Sequence, residues 1–143
     1  MTQDEFNAFC GTLAHTIYVV QWGGAHVWKV GEQEAKSADG TTGKHKAKNK
    51  LFAIGGWQDK NQALGITFKC GEIAFEMLRD APGCRPAPYL ASRGMKWIQR
   101  TGDESMSDAD LKDYLRESHR LASLNLTKKL QRELGLNQGG DGA

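Results

Sequence analysis

The chain has 143 residues, of which 39% are hydrophobic and 25% are charged, and its formal net charge is +2. These values are typical of one globular domain with a single hydrophobic core. No run of about 18 apolar residues occurs, so no membrane-spanning helix is predicted, and the acidic start of the chain is unlike a signal peptide. Three cysteines without a CxxC pair indicate reduced thiols and a cytoplasmic location.

The first predicted element is a helix. Thr2 and Glu5 have the spacing of a capping box, in which each side chain bonds a free backbone N–H of the first turn. Apolar residues then recur at i, i+3, i+4 and i+7, the period of an amphipathic helix. They are Phe6, Phe9, Cys10 and Leu13. We expect this helix to end near His15.

Two extended segments follow. Ile17–Trp22 is rich in β-branched and aromatic residues and is ended by Gly23 and Gly24. Val27–Val30 reads as a strand that places Trp28 and Val30 on one face.

Residues 31–49 have no hydrophobic period, so we expect a long loop there. Its end is the densest basic stretch of the chain. Lys44, Lys46, Lys48 and Lys50 alternate, and would share one side of an extended hairpin, with His45 between them.

The second half of the chain alternates between strand and helix signals. Leu51–Gly55, Leu64–Lys69 and Met95–Arg100 are predicted strands, and Glu72–Arg79 is a predicted helix. Ser107 with Asp110 predicts the cap of a long helix, and Thr127 predicts the cap of a last helix, Lys128–Leu134, which Gly135 closes. The Gly-rich tail, 136–143, is predicted to be disordered.

Several junctions of the second half form a specific pattern. Lys69 and Cys70 lie directly before a helix, and Trp97 lies on a strand after a polar turn. Between them is a corner containing Pro82, Gly83, Pro86, Pro88 and Tyr89. These junctions resemble those of the MmcQ/YjbR family of small bacterial proteins, and the resemblance covers about residues 2–134.

The resemblance implies a fourth strand around Ala87–Ala91. It also implies an α+β fold, with an antiparallel sheet, helices on one face and at the ends, and the order α-β(3)-α-β(2)-α. We therefore expect a single domain over residues 1–135. The family's link between its first two strands is commonly a tight turn, so residues 31–49 look like an insertion.

In function, the resemblance implies predicted DNA binding through a double-wing motif. The layout is also similar to type III secretion chaperones, which bind proteins. The alternative is therefore a protein-interaction module that uses a sheet edge or an apolar helix face, with a protein partner or a second copy as its ligand.

The residues themselves indicate no enzyme. The four histidines and three cysteines share no metal-ligand spacing, so we expect no metal and no cofactor. Cys70 is the one thiol that a neighbouring Lys69 and a helix start favour as a thiolate. A buried, inert cysteine is the favoured interpretation. Trp28 and Trp97 are expected in the core, and Trp57 is the tryptophan most expected at the surface.

Charge is distributed unevenly along the chain. Residues 1–25 carry −2, residues 26–100 carry +6 and residues 101–143 carry −2. A basic centre favours a polyanionic partner, and the sequence predicts DNA binding mainly through phosphates. The predicted contacts are Lys44, Lys46, Lys48, Lys50, Arg93, Lys96 and Arg100. The competing interpretation is that these lysines only protect a solvated sheet edge from aggregation.

Overall fold

The computed structural model describes residues 1–33, 48–60, 62–90 and 94–139. These ranges contain four helices and six strands. The elements in chain order are α1 (Gln3–Gly11), β1 (Thr16–Gln21), β2 (Ala25–Gly31), β3 (Asn49–Gly55), β4 (Ile66–Lys69), α2 (Glu72–Leu78), β5 (Cys84–Pro86), β6 (Trp97–Arg100), α3 (Asp108–Ser123) and α4 (Lys128–Leu134).

The predicted α+β class is confirmed, but the predicted number of strands before α2 is wrong. Four strands precede α2, because the segment Thr16–Gln21 pairs along its whole length with β2. All strand pairs are antiparallel, and the sheet order is β1-β2-β3-β4-β6-β5. β1 and the short β5 are therefore the two edges of the described sheet.

The helices cover one face of the sheet. Side chains from α1, α2, α3 and α4 join strand residues in one apolar core; among its fully buried members are Phe6, Phe52, Phe68 and Leu115. Trp28 is also part of this core, at 8% exposure, and Trp97 is 3% exposed, so their predicted burial is confirmed. The other sheet face, which we call the open face, carries a small apolar cluster of Ala25, Val27 and Ile54.

A bulge in β3 connects the sheet to α3. Trp28 lies opposite Ala53 and Lys29 lies opposite Leu51, so Phe52 has no partner in β2. The buried Ser118 hydroxyl of α3 donates to the Phe52 carbonyl at 2.6 Å and accepts from the Lys69 N–H at 2.8 Å.

The predicted helix caps are confirmed. Thr2 and Glu5 form the capping box, and Ser107 and Thr127 each accept a backbone N–H at the start of α3 and α4. Gly135 closes α4 in the left-handed conformation that glycine adopts without a steric cost.

Several boundaries differ from the prediction, and three of them concern segments that the structure assigns differently. Helix α1 ends at Gly11, and His15 has a positive φ that a continuing helix does not allow. The strand expected at Ala87–Ala91 is instead β5, because Pro88 has no N–H to pair and begins a turn. Leu136, placed in the predicted tail, is buried in the core, while residues 140–143 of that tail lie outside the described residues.

Candidate nucleic-acid interface

The sheet is the cationic part of the fold. Its six strands contain five basic residues and no acidic residue. These basic residues are Lys29, Lys50, Lys69, Arg85 and Arg100. Each of the four helices, in contrast, contains at least one Asp or Glu. The strands thus carry only basic charged residues, whereas the helices carry both signs.

Strand register brings several lysines to one end of the sheet. Lys29 lies opposite Leu51, beside Lys50, and the carbonyl of Lys48 accepts the N–H of Glu32 at 2.8 Å. Lys69 ends β4, and the next amide, of Cys70, donates to the Lys96 carbonyl at 3.0 Å. We call this group the lysine end. Its members are Lys29, Lys48, Lys50, Lys69 and Lys96.

The charges of the lysine end are not neutralised by neighbours. Within the described ranges, no ion pair involves any of its five ammonium groups. Lys48 and Lys96 are exposed, and the other three are partly exposed. The Lys96 Nζ lies 4.9 Å from the centre of the Phe75 ring, a cation–π contact that holds its stem but leaves its hydrogen-bond donors available.

Not all predicted contact residues belong to this group. Lys44, Lys46 and Arg93 lie outside the described residues. Arg100 was predicted to share a surface stripe with Lys96, but its side chain is only 5% exposed. It lies opposite Ile66, on the face that packs against the helices.

Arg100 instead supports the start of α3. Its Nε and Nη2 donate to the Met106 carbonyl at 3.0 and 2.8 Å, and Nη2 also donates to Asp108 at 2.9 Å. Hydrogen bonds from the Met1 amino group and from Arg100 lower the pKa of the Asp108 carboxyl. The Arg100 guanidinium is therefore buried and hydrogen-bonded inside the fold, so Arg100 is not part of the candidate interface.

Cys70 lies close to the lysine end but is not a reactive thiolate. The residue is 5% exposed. Burial raises the pKa of its thiol to about 11, and the nearby Lys96 ammonium only partly opposes this effect. The thiol is therefore protonated at neutral pH, in line with the buried-cysteine interpretation. Among the described residues, no group of three His, Cys, Asp or Glu side chains could hold a metal ion.

A second feature lies on the open face, at the other end of β2 and β3. One cross-strand row spans all six strands there and changes from apolar to polar. In spatial order it consists of Val19, Val27, Ile54, Thr67, Gln99 and Arg85. Trp57 and Leu90 pack against its apolar half.

Three aromatic side chains form a recess above this row. Trp22, Trp57, Tyr89 and Leu90 line a volume of about 480 Å³. The ring centres of Trp22 and Trp57 are 5.6 Å apart, and those of Trp57 and Tyr89 are 5.3 Å apart. Trp22 is 52% exposed and Tyr89 is 68% exposed. We call this group the aromatic recess.

The backbone of the recess is strained at each aromatic residue. Trp22, Trp57 and Tyr89 have φ values of +54°, +61° and +67°. Bulky residues rarely adopt this left-handed region, and each instance costs about 1–3 kcal/mol. Three large aromatic residues in this conformation at one surface recess are typical of a functional site rather than of simple packing.

A polar network fixes the loop that carries Trp57. The Arg85 guanidinium donates to Gln99 at 2.7 Å, to Asp59 at 3.0 Å and to the Trp57 carbonyl at 3.4 Å. The amide of Gln99, which is fully buried, donates to the Gly56 carbonyl at 3.0 Å. Hydrogen bonds from two strand residues therefore hold the Trp57 side of the recess against the sheet.

Sequence reasoning found only part of this recess. The sequence predicts Trp57 at the surface, and it is partly exposed. The sequence gives Trp22 only as the end of an extended segment and Tyr89 only as part of a corner. The available signal was that Trp22 precedes Gly23 and Gly24, and that Trp57 follows Gly55 and Gly56. An aromatic residue beside paired glycines is expected in a turn, where its ring is not constrained to the core.

The fold and the site define a small α+β protein with a helix-covered sheet face and a cationic open face. A family model described as YjbR matches residues 11–121, and the chain belongs to this family. The chain is also similar to the crystal structure of Deinococcus radiodurans protein DR2400, described as a DUF419 domain, with a TM-score of 0.72 and 24% identity. That match covers 99% of this chain and 93% of the other, and it shows the shared fold.

The comparison with curated proteins gave no match. In the part of the chain that the structure describes, no helix is long and apolar enough to cross a membrane.

Proposed function

We propose that this protein binds DNA without catalysing a reaction, mainly through the phosphate backbone. The observation that carries the proposal is the lysine end, where five ammonium groups without an ion pair in the described ranges lie at one end of a sheet that has no acidic strand residue. Such a surface attracts phosphates and releases their condensed counterions. Lys44 and Lys46 precede Lys48 in the same basic stretch of sequence.

The binding should be largely independent of sequence. Side chains that read base edges usually come from a helix inserted in the major groove. Helix α3 packs its apolar side on the sheet and has Asp108 and Asp110 in its first turn, which phosphates would repel. The proposed contacts are therefore to the backbone, which positions a protein without reading sequence.

A titration of labelled duplex at two salt concentrations tests the proposal. The triple variant Lys48→Ser, Lys50→Ser, Lys96→Ser removes three charges from the lysine end. A matched control, Lys112→Ser, Lys128→Ser, Lys129→Ser, removes the same charge from exposed positions on the helices. A third variant, Lys44→Ser with Lys46→Ser, measures the contribution of the two other lysines of this basic stretch of sequence.

We expect wild-type affinity to fall steeply with salt. The lysine-end variant should bind more weakly, with a salt slope flattened by up to about 0.9 log units for each lost phosphate contact. The control should bind nearly as wild type. Absence of binding at low salt, or equal losses in both triple variants, would overturn the proposal.

A specific observation also favours the alternative function, a protein-interaction module. Edge strand β1, with the sequence TIYVVQ, has no charged residue, and among the described strands it pairs with β2 alone. Tyr18 is 42% exposed and Val20 is 51% exposed. Natural proteins usually protect such an edge with charges or proline, so an unprotected edge is a candidate for pairing with another strand.

Sedimentation analysis of wild type and Val20→Lys tests this alternative. A concentration-dependent dimer that the lysine abolishes would support pairing through β1. A monomer at all concentrations, with no change in the variant, would count against a second copy as the partner.

A further inference from the structure

The aromatic recess and two members of the lysine end, Lys29 and Lys69, lie along the same face of the sheet. Lys50, opposite Val30, and Lys96, against the Phe75 ring, lie on the helix-covered side. Side chains alternate along a strand, so the register places Lys29, Lys69 and Arg85 on the open face together with the row below the recess. Lys29 is four residues from Ala25, near the recess, which corresponds to about 13 Å along β2. A single extended ligand can therefore contact both features.

The chemistry of the two features is complementary to different parts of one ligand. Exposed aromatic rings bind planar groups by stacking, and this contact tolerates any base because every base has a π face. Lysines bind phosphates. All charged strand residues of the open face are cations, and the carboxylate of Asp59 beside the recess is already paired with Arg85 at 3.0 Å.

We propose that the aromatic recess takes unpaired nucleobases, and that the phosphates of the same strand follow Lys29 and Lys69 toward the lysine end. The ligand class is therefore single-stranded nucleic acid. This inference rests on the proposed nucleic-acid binding and specifies its substrate.

A duplex fits this arrangement less well. Its bases are stacked on each other inside the helix, and their faces do not reach a protein ring without unstacking. A duplex therefore contacts the lysine end by its phosphates but leaves the recess empty. The recess volume of about 480 Å³ lies in the usual range of small-ligand sites. The Arg85 and Gln99 network holds the strained Trp57 position, so the central ring of the stacking platform is preformed.

The experiment compares labelled oligo(dT) with a mixed-sequence duplex of the same length, by fluorescence anisotropy at low salt. The test variants are Trp22→Leu and Tyr89→Leu, whose side chains are largely exposed, so little core packing is lost. The matched controls are Trp22→Phe and Tyr89→Phe, which keep an aromatic ring. Circular dichroism verifies that each variant is folded.

We expect wild type to bind oligo(dT) more tightly than the duplex. Each leucine variant should bind oligo(dT) about 5-fold or more weakly, which corresponds to the loss of one stacked base. Its affinity for the duplex should be unchanged, and the phenylalanine variants should retain most of the oligo(dT) affinity. Intrinsic tryptophan fluorescence should be quenched by oligo(dT) and not by the duplex.

The outcomes distinguish failure of the stacking inference from failure of the proposed DNA binding through the lysine end. If duplex and oligo(dT) bind equally and the leucine variants change neither, the stacking inference is overturned while lysine-end binding stands. If neither nucleic acid binds at low salt, both are overturned. If oligo(dT) binding depends on the rings and is also weakened by Lys29→Ser with Lys69→Ser, and duplex binding is weakened by the lysine-end variant, both are supported.

Discussion

Arg85 and Arg100 show how two arginines on neighbouring strands serve different structural roles. Arg100 lies on the helix-covered face and bonds the Met106 carbonyl and Asp108, which fixes the chain just before α3. Arg85 lies on the open face and bonds the Trp57 carbonyl and Asp59. Neither role could be read from a count of basic residues, because strand register decides the face and burial decides the partner.

We predict that Arg100→Met lowers the free energy of unfolding. The substitution leaves the buried Met106 carbonyl without its donor and removes the bond to Asp108, which should cost about 2–3 kcal/mol. Urea unfolding measures the change. The control is Lys96→Met, an exposed lysine four positions earlier, which should change stability by no more than about 0.5 kcal/mol. Equal stability of both variants would contradict the structural role of Arg100.

The tryptophans show what the sequence predicts at single positions. The alternation of side chains along the strands was sufficient to predict that Trp28 and Trp97 are buried, because successive residues of a regular strand point to opposite faces. Trp22 and Trp57 follow strands and lie in turns, where positive φ decides the direction of the ring. That conformation depends on long-range packing, so local periodicity could not predict it.

At the scale of elements, the end of the β2–β3 pair depends on one glycine. Gly31 has a φ of +135°, and a Cβ at this position would lie 2.1 Å from the Lys48 carbonyl oxygen. That oxygen accepts the N–H of Glu32, so it is held in place. No side chain fits here without moving the chain that carries Lys48 and Lys50.

We predict that Gly31→Ala destabilises the protein by more than about 1 kcal/mol, because both the φ value and the contact oppose a side chain. Gly11→Ala is the opposite control. Gly11 ends helix α1, and an added Cβ there meets the Trp28 ring at an ordinary 3.5 Å. This control should be neutral or stabilising by up to about 1 kcal/mol. Thermal unfolding compares the stability of the two variants with that of wild type. A Gly31→Ala protein as stable as wild type would refute the prediction.

The predicted elements agree with the structure where a local signal determines them. The helix starts at Thr2, Ser107 and Thr127 could be predicted from the sequence, because a cap is a hydrogen bond between residues that lie within four positions of each other. The strand near Pro86 and Pro88 was misplaced, because its pairing with β6 is a long-range property and the prolines allow it over only three residues. The lysine end needed the complete register, which brings β2, β3, β4 and β6 together.

At the scale of the molecule, the strands form a layer whose charged residues are all basic, whereas the helices carry nine acidic and six basic residues. The strands contribute only cations, while acidic residues begin α1, α2 and α3. A net charge of +2 conceals this arrangement. The field at the open face is therefore more positive than the net charge indicates, and it should steer anions toward that face.

We predict that this field appears in the quenching of tryptophan fluorescence. Trp28 and Trp97 are buried, so the accessible signal comes from Trp22 and Trp57 near the open face. Iodide should quench this signal more efficiently than caesium at low ionic strength, and the difference should shrink as added salt screens the field. Equal quenching by both ions at low salt would contradict a positive open face.

The bond between Ser118 and the Lys69 amide has a consequence for local opening. Beyond Phe68 the ladder between β3 and β4 ends, and the N–H of Lys69 donates to the α3 hydroxyl instead of a strand carbonyl. Its exchange with solvent deuterium therefore requires α3 to separate from the sheet, whereas the amides within the ladder exchange only when strands part. In a hydrogen-exchange measurement, the Lys69 amide should report the docking of α3, and Ser118→Ala should remove its protection selectively.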